Sequence, residues 1–212
     1  MDQGFATCVI AQKFEVPGLI SFTYVDNRKR LESRSFPCNG RTIMEHREII
    51  KRLAGNEALI QGLVSGLDET QSRWRPEPGK WSVLEVINHL YDEEREDFRH
   101  RLDLTLHTSD AAWTPNDPER WVSERKYNER DLKNSLENLI SERRKSIAWL
   151  NALESPEWNS AYEHPVFGSI AAGDILCAWL AHAYFHARQI SNLFIEYTRV
   201  LSNHFSTGYA FG

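Results

Sequence analysis

Apolar residues recur at steps of three and four along four long stretches of this chain, and most of its prolines lie between those stretches. A helix with a single apolar stripe must bury it against a neighbour, so this pattern predicts an all-α protein of packed helices. The first stretch runs from about Thr42 to Leu67, with Ile49, Ile50, Leu53, Ile60, Leu63, Val64 and Leu67 on one face. The second starts at "WSVLE", where Ser82 and Glu85 have the spacing of a reciprocal capping box, and continues to about Leu106. The third spans about Asn128 to Leu153 with a stripe from Leu132 to Leu150. The fourth spans about Ile170 to Leu201 and is apolar almost all the way round, which predicts the most buried helix. The connection "HTSDAAWTPNDPERWVSERKY" is longer than adjacent antiparallel helices need, so it should cross the bundle or roof one end.

Residues 1–41 do not share the helical period. They carry a β-like run, "LISFTYV", broken by Pro17, Gly18, Pro37 and Gly40, and Met44 stands where the helical pattern begins. This arm reads as an irregular extension, an upstream-start artefact or a small hairpin against a helical domain at 42–201, with a short tail at 202–212. The 212 residues carry a net charge of −5 with acids and bases interleaved, which gives no footprint for nucleic acid or an anionic membrane. No run of about eighteen apolar residues offers a membrane span, and the N-terminus lacks the layout of a secretory signal. The expectation is a cytoplasmic protein with a small-molecule partner, for which a second copy of the chain is an admissible companion. Cys8, Cys38 and Cys177 are too scattered for a disulfide framework, and Cys177 reads as a small core residue.

The chemistry concentrates in "LAHAYFHARQI", residues 180–190. His182 and His186, spaced i and i+4, rise from one helix face about 6 Å apart. Gln189 continues their column, which also holds Ile175, Ala178, Trp179 and Leu193, so the pair should face the interior. Two readings stand: ordinary core histidines bonded to backbone or water, or ligands of a divalent ion that relieves two desolvated imidazoles together. The zinc-protease pattern is absent, because Ala183 and not Glu follows His182. His89, in "EVINHLYDEE", shares its wheel face with Glu85, Glu93 and Glu96, which reads as a solvated face unless it meets the fourth helix in a cleft. Depth along the helices places His89 and His182 at similar levels if the second and fourth helices run parallel. Asp92, Glu93 and Glu94 are the candidate catalytic carboxylates, against the plainer reading of solvated helix acids. Trp74, Trp81, Trp113 and Trp121 could line a ligand pocket or seal the core end, and His164 could reach the same mouth or close a surface turn.

The segments "WRPEPGKWSVLEVINHLYDEE" and "HPVFGSIAAGDILCAWLAHAYFHARQI" together resemble the DinB/YfiT-like superfamily over about residues 44–200. The resemblance rests on a Trp-Ser helix start, a histidine seven residues further on and a late H-x-x-x-H-x-x-Q column. It implies a four-helix bundle with long crossover connections. It also implies that His89, His182 and His186 bind one divalent ion, with zinc, nickel and iron suited to three imidazoles. Ala183 stands where many relatives carry Asp. The activity so implied is a metal-dependent enzyme, foremost one that transfers a low-molecular-weight thiol to a small electrophile. The alternatives are a metal-dependent hydrolase and a non-catalytic ligand-binding stress protein on the same bundle.

Overall fold

The computed structural model describes residues 45–108 and 111–211, and the arm expected at 1–41 lies outside the described residues. Ser82 caps the second long helix as its sequence predicts. Its hydroxyl accepts the Glu85 N–H while the Glu85 carboxylate accepts the Ser82 N–H, and Arg75 holds that carboxylate from outside.

The long elements are α1 (His46–Val64), a composite second helix made of α3 (Val83–Glu93), a π-turn (Glu94–Phe98) and α4 (Arg99–His107), then α6 (Leu132–Ala152) and α7 (Ala172–Leu201). Short α2 (Glu69–Arg73) lies in the first linker, and α5 (Pro118–Glu124) and a 3-10 turn (Tyr127–Glu129) lie in the second. The third linker forms an antiparallel hairpin of β1 (Ala161–His164) and β2 (Gly168–Ala171), registered Ala161 to Ala171. The architecture is an all-α four-helix bundle. No helix among the described residues is long and apolar enough to cross a membrane.

Side-chain pairs fix the helix directions. Arg143 of α6 donates to the Leu53 carbonyl and Arg144 pairs with Glu57, while Ile60 packs with Leu139, so α1 and α6 run antiparallel. Asn88 meets Ser135 and Arg99 meets Ser146, so the second helix runs parallel to α6. Trp81 stacks on His186, His89 meets His182, and Phe98 stacks on Trp179, so α7 descends as the second helix rises. The second and fourth helices are therefore antiparallel, not parallel. One core cluster joins Ile49, Ile50 and Leu53 to Ile175, Leu176 and Trp179, and the other joins Ile60 and Val64 to Ile190 and Leu193. Thus α1 and α7 are parallel, and the bundle is wound up, down, down, up.

Parallel neighbours consecutive in the chain need a return path along their whole length. The connection between α4 and α6 provides it by running back along the second helix. Asn116 donates to Asp97, Arg125 to Glu96, Tyr127 to Asp92, and Asn128 accepts from Ser82. The packing departs from the sequence reading in two places. Every position from Val83 to Leu90 is buried, polar ones included, so His89 does not lie on a solvated face. Conversely α7 is not buried all round. Its inward set is Ile175, Leu176, Trp179, Leu180, Ala183, His186, Ala187, Ile190 and Leu193, while Cys177, Ala178 and Ala181 are exposed and Tyr184 is 43 % exposed. Cys177 is thus not a core residue. Alanine and cysteine score as apolar but present little area, so their exposure costs little.

Candidate metal centre

Helix α3 brings His89 inward against α7, where His182 and His186 stand one turn apart. Their Nε2 atoms converge: 3.0 Å between His182 and His186, 3.1 Å between His89 and His186, and 3.4 Å between His89 and His182. Among the described residues this is the one group of three or more His, Cys, Asp or Glu side chains placed to hold an ion. His89 is 5 % exposed and His186 4 %, whereas His182 is partly accessible and marks the open side.

Burial keeps all three rings neutral. Desolvation pushes His89 and His182 well below the ordinary histidine range, and neighbouring imidazoles push them further. His186 is held at about 4, because burial outweighs its bond to Gln189. In that bond His186 Nδ1–H donates to Gln189 Oε1 at 2.7 Å, which fixes the tautomer and leaves Nε2 as a bare lone pair aimed into the cluster. Three neutral lone pairs at such separations repel unless something positive lies among them. Tetrahedral zinc with Zn–N of about 2.0–2.1 Å places ligand nitrogens about 3.3 Å apart, close to the separations found here. The donor set fits a divalent ion with further positions open.

The walls are aromatic. Trp81 lies 4.8 Å from His89 and stacks on His186 at 6.3 Å, while Phe98 lies 5.0 Å from His182. Of the four tryptophans singled out in the sequence, Trp81 is the one against the triad. Trp74 meets Tyr197, Trp113 stacks on Tyr162, and Trp121 lies under Arg125. His164 closes its own hairpin turn, its Nδ1 accepting the N–H groups of Val166 and Phe167. Trp81 is among the tryptophans that the sequence offers as pocket lining, whereas Phe98 carries no signal there, since its role depends on which helix is the neighbour.

The three candidate carboxylates separate clearly. Asp92 accepts from Tyr127, Arg95 and Arg125; these bonds overcome the effect of burial and hold it below the usual carboxylate range. Glu94 pairs with Arg143 at 2.7 Å and accepts the Trp179 indole N–H at 3.0 Å. Both serve the packing between elements. Glu93 is 6 % exposed, and its Oε1 is buried without a partner. Burial, joined by the neighbouring carboxylates Asp97, Asp92 and Glu96 and opposed by Arg101, pushes it up to about 8.

The chain is similar to known proteins in sequence and in fold. A protein of Oceanobacillus iheyensis named "putative metal-dependent hydrolase" is 25 % identical over 146 residues, covering 69 % of this chain and 84 % of that protein. The solved structure of YfiT from Bacillus subtilis, described as "a probable metal-dependent hydrolase with an unusual four-helix bundle topology", superposes with a TM-score of 0.64 at 22 % identity. That match covers 74 % of this chain and 90 % of YfiT, and it bears on the fold. The family model of the DinB superfamily matches residues 52–190, which include the whole triad, and the chain belongs to that superfamily.

Proposed function

We propose that the chain is a divalent-metal-dependent enzyme in which His89, His182 and His186 hold the ion and a small nucleophile is activated beside it, with hydrolysis of a small substrate as the leading reaction. The observation that carries this reading is the convergence of three neutral imidazole Nε2 atoms within 3.0–3.4 Å of one another. When bound, a divalent ion supplies Lewis acidity that lowers the pKa of a coordinated water or thiol. The protein's own residues do the rest. Gln189 holds the His186 tautomer, Trp81 and Phe98 exclude bulk water from two sides, and partly accessible His182 marks the side open to substrate. The names given to the two relatives, both of metal-dependent hydrolases, support water as the nucleophile.

A second reading uses the same centre. An all-imidazole set suits zinc, nickel and iron, which accept sulfur as readily as oxygen, so a low-molecular-weight thiol could replace water and be transferred to a small electrophile. Elemental analysis of the untagged protein beside His89→Ala and His182→Ala tests the centre. About one equivalent of metal in the wild type, lost in both variants, is expected; none in the wild type after reconstitution overturns the reading. Activated aryl esters, and a thiol with an aryl halide, then separate the two reactions on the loaded protein.

A further inference from the structure

The composite second helix carries five carboxylates in six positions, from Asp92 to Asp97, and four of them have cationic partners. Asp92 pairs with Arg95 and Arg125, Glu94 with Arg143, Glu96 with Arg95 and Arg125, and Asp97 with Arg101 at 2.8 Å. Asp97 also accepts from Asn116 at 2.7 Å. Among the described residues Glu93 alone in this run has no ion pair, and its Oε1 has no hydrogen-bond donor although it is buried. A buried carboxyl oxygen without a hydrogen-bond donor is unfavourable for the fold.

The fold places this residue beside the triad. Glu93 follows His89 by four residues within α3, so the two side chains share a face one turn apart. The ring of His182 is bracketed from the same helix by His89 at 5.3 Å and Phe98 at 5.0 Å, and Glu93 lies between those two along the helix. Its level is therefore that of His182, the accessible member of the triad. The charged groups that act on it are Asp97, Arg101, Asp92 and Glu96 on its own helix, and His89, one turn before it, meets His182 and His186 of α7. Burial and the neighbouring carboxylates bring Glu93 to about 8, so both its protonated and its ionised forms are populated near neutral pH, as a group that takes a proton and gives it back requires.

We infer that Glu93 is the proton-transfer group of this centre; this rests on the metal-dependent reading above. In hydrolysis the O–H bond of the attacking water breaks, its proton passes to Glu93 Oε1, and its oxygen bonds to the electrophilic carbon or phosphorus of the substrate. The bond to the leaving group then breaks, and Glu93 returns the proton to it, so one water is divided between the two products.

The test uses cobalt(II) as a spectroscopic probe in the full chain, comparing wild type, Glu93→Gln and Glu93→Asp. Both variants should take up one equivalent of cobalt, since the triad is intact. The visible absorption of the wild type should titrate with a pH inflection that Glu93→Gln loses or displaces by at least one pH unit and Glu93→Asp restores in part. With an ester substrate, Glu93→Gln should lower kcat by at least 100-fold with KM little changed. Superimposable titrations in wild type and Glu93→Gln overturn the role of Glu93 while leaving the metal reading intact. Failure of the wild type to bind cobalt overturns the metal reading itself.

Discussion

At the scale of single residues, the triad depends on imidazoles that the folded protein refuses to protonate. His186 titrates near 6.5 in an unfolded chain and is held at about 4 here by burial. As pH falls from about 6.5 towards 4 the unfolded chain takes up this proton and the folded one does not. Its contribution to stability is therefore complete above about 6.5, shrinks through that window and is constant below it. In chelator-treated protein the urea midpoint of wild type, compared with His186→Asn, should accordingly fall between pH 7 and 5. The comparison removes Glu93, whose raised value acts with the opposite sign. A difference between the two proteins that does not change with pH would contradict the buried-neutral assignment. The sequence makes half of this centre legible. His182, His186 and Gln189 are read from local spacing, because one helix suffices to place them. His89 is not legible in that way: its neighbours Glu85 and Glu93 imply a wet face, and only the resemblance to a family brings it in. It packs against Trp81 and against α7, 93 residues further along at His182, and a helical wheel cannot show that neighbour.

At the scale of elements, the second helix is held by buried charges as well as by hydrocarbon. Arg143 of α6 is the clearest case, being almost fully buried, paired with Glu94 and donating to the Leu53 carbonyl of α1 at 3.1 Å. One guanidinium thus ties three helices beside the triad. Removing it in Arg143→Leu leaves Glu94 charged and unpaired, which should cost about 3–5 kcal/mol. Adding Glu94→Gln removes the stranded charge while keeping an acceptor for the Trp179 indole, so the double variant should recover a large part of that loss. Denaturant unfolding of the two single variants and the double variant measures the coupling, and strictly additive losses would show that the pair does not act as a unit. The sequence reads Glu94 only as one of three acids in a row. Its partner lies 49 residues further along, and the π-turn that begins at Glu94 is equally silent in the local pattern. The Ser82–Glu85 cap, by contrast, is complete within four residues and was readable for that reason.

At the scale of the whole molecule, the up-down-down-up winding sets what an ion can do for the fold. Local periodicity shows four helices and a long second connection, but it carries no direction for any helix, so the antiparallel meeting of the second and fourth had to come from the pairs between them. His89 lies 93 residues before His182, and the triad is a crosslink between these two elements. An ion bound there favours only the folded chain, and at 100 to 1,000 times its dissociation constant it should add about 2.7–4.1 kcal/mol. For a domain of this size each kcal/mol moves Tm by about 2–4 °C, so saturating zinc should raise Tm by about 5–16 °C over the chelated protein. The same addition to His89→Ala should give little or no rise, because the two histidines that remain belong to one helix and can no longer join α7 to α3. Differential scanning calorimetry of both proteins, with zinc and with chelator, distinguishes this crosslink from zinc bound at the surface, which would raise Tm in the variant as much as in the wild type.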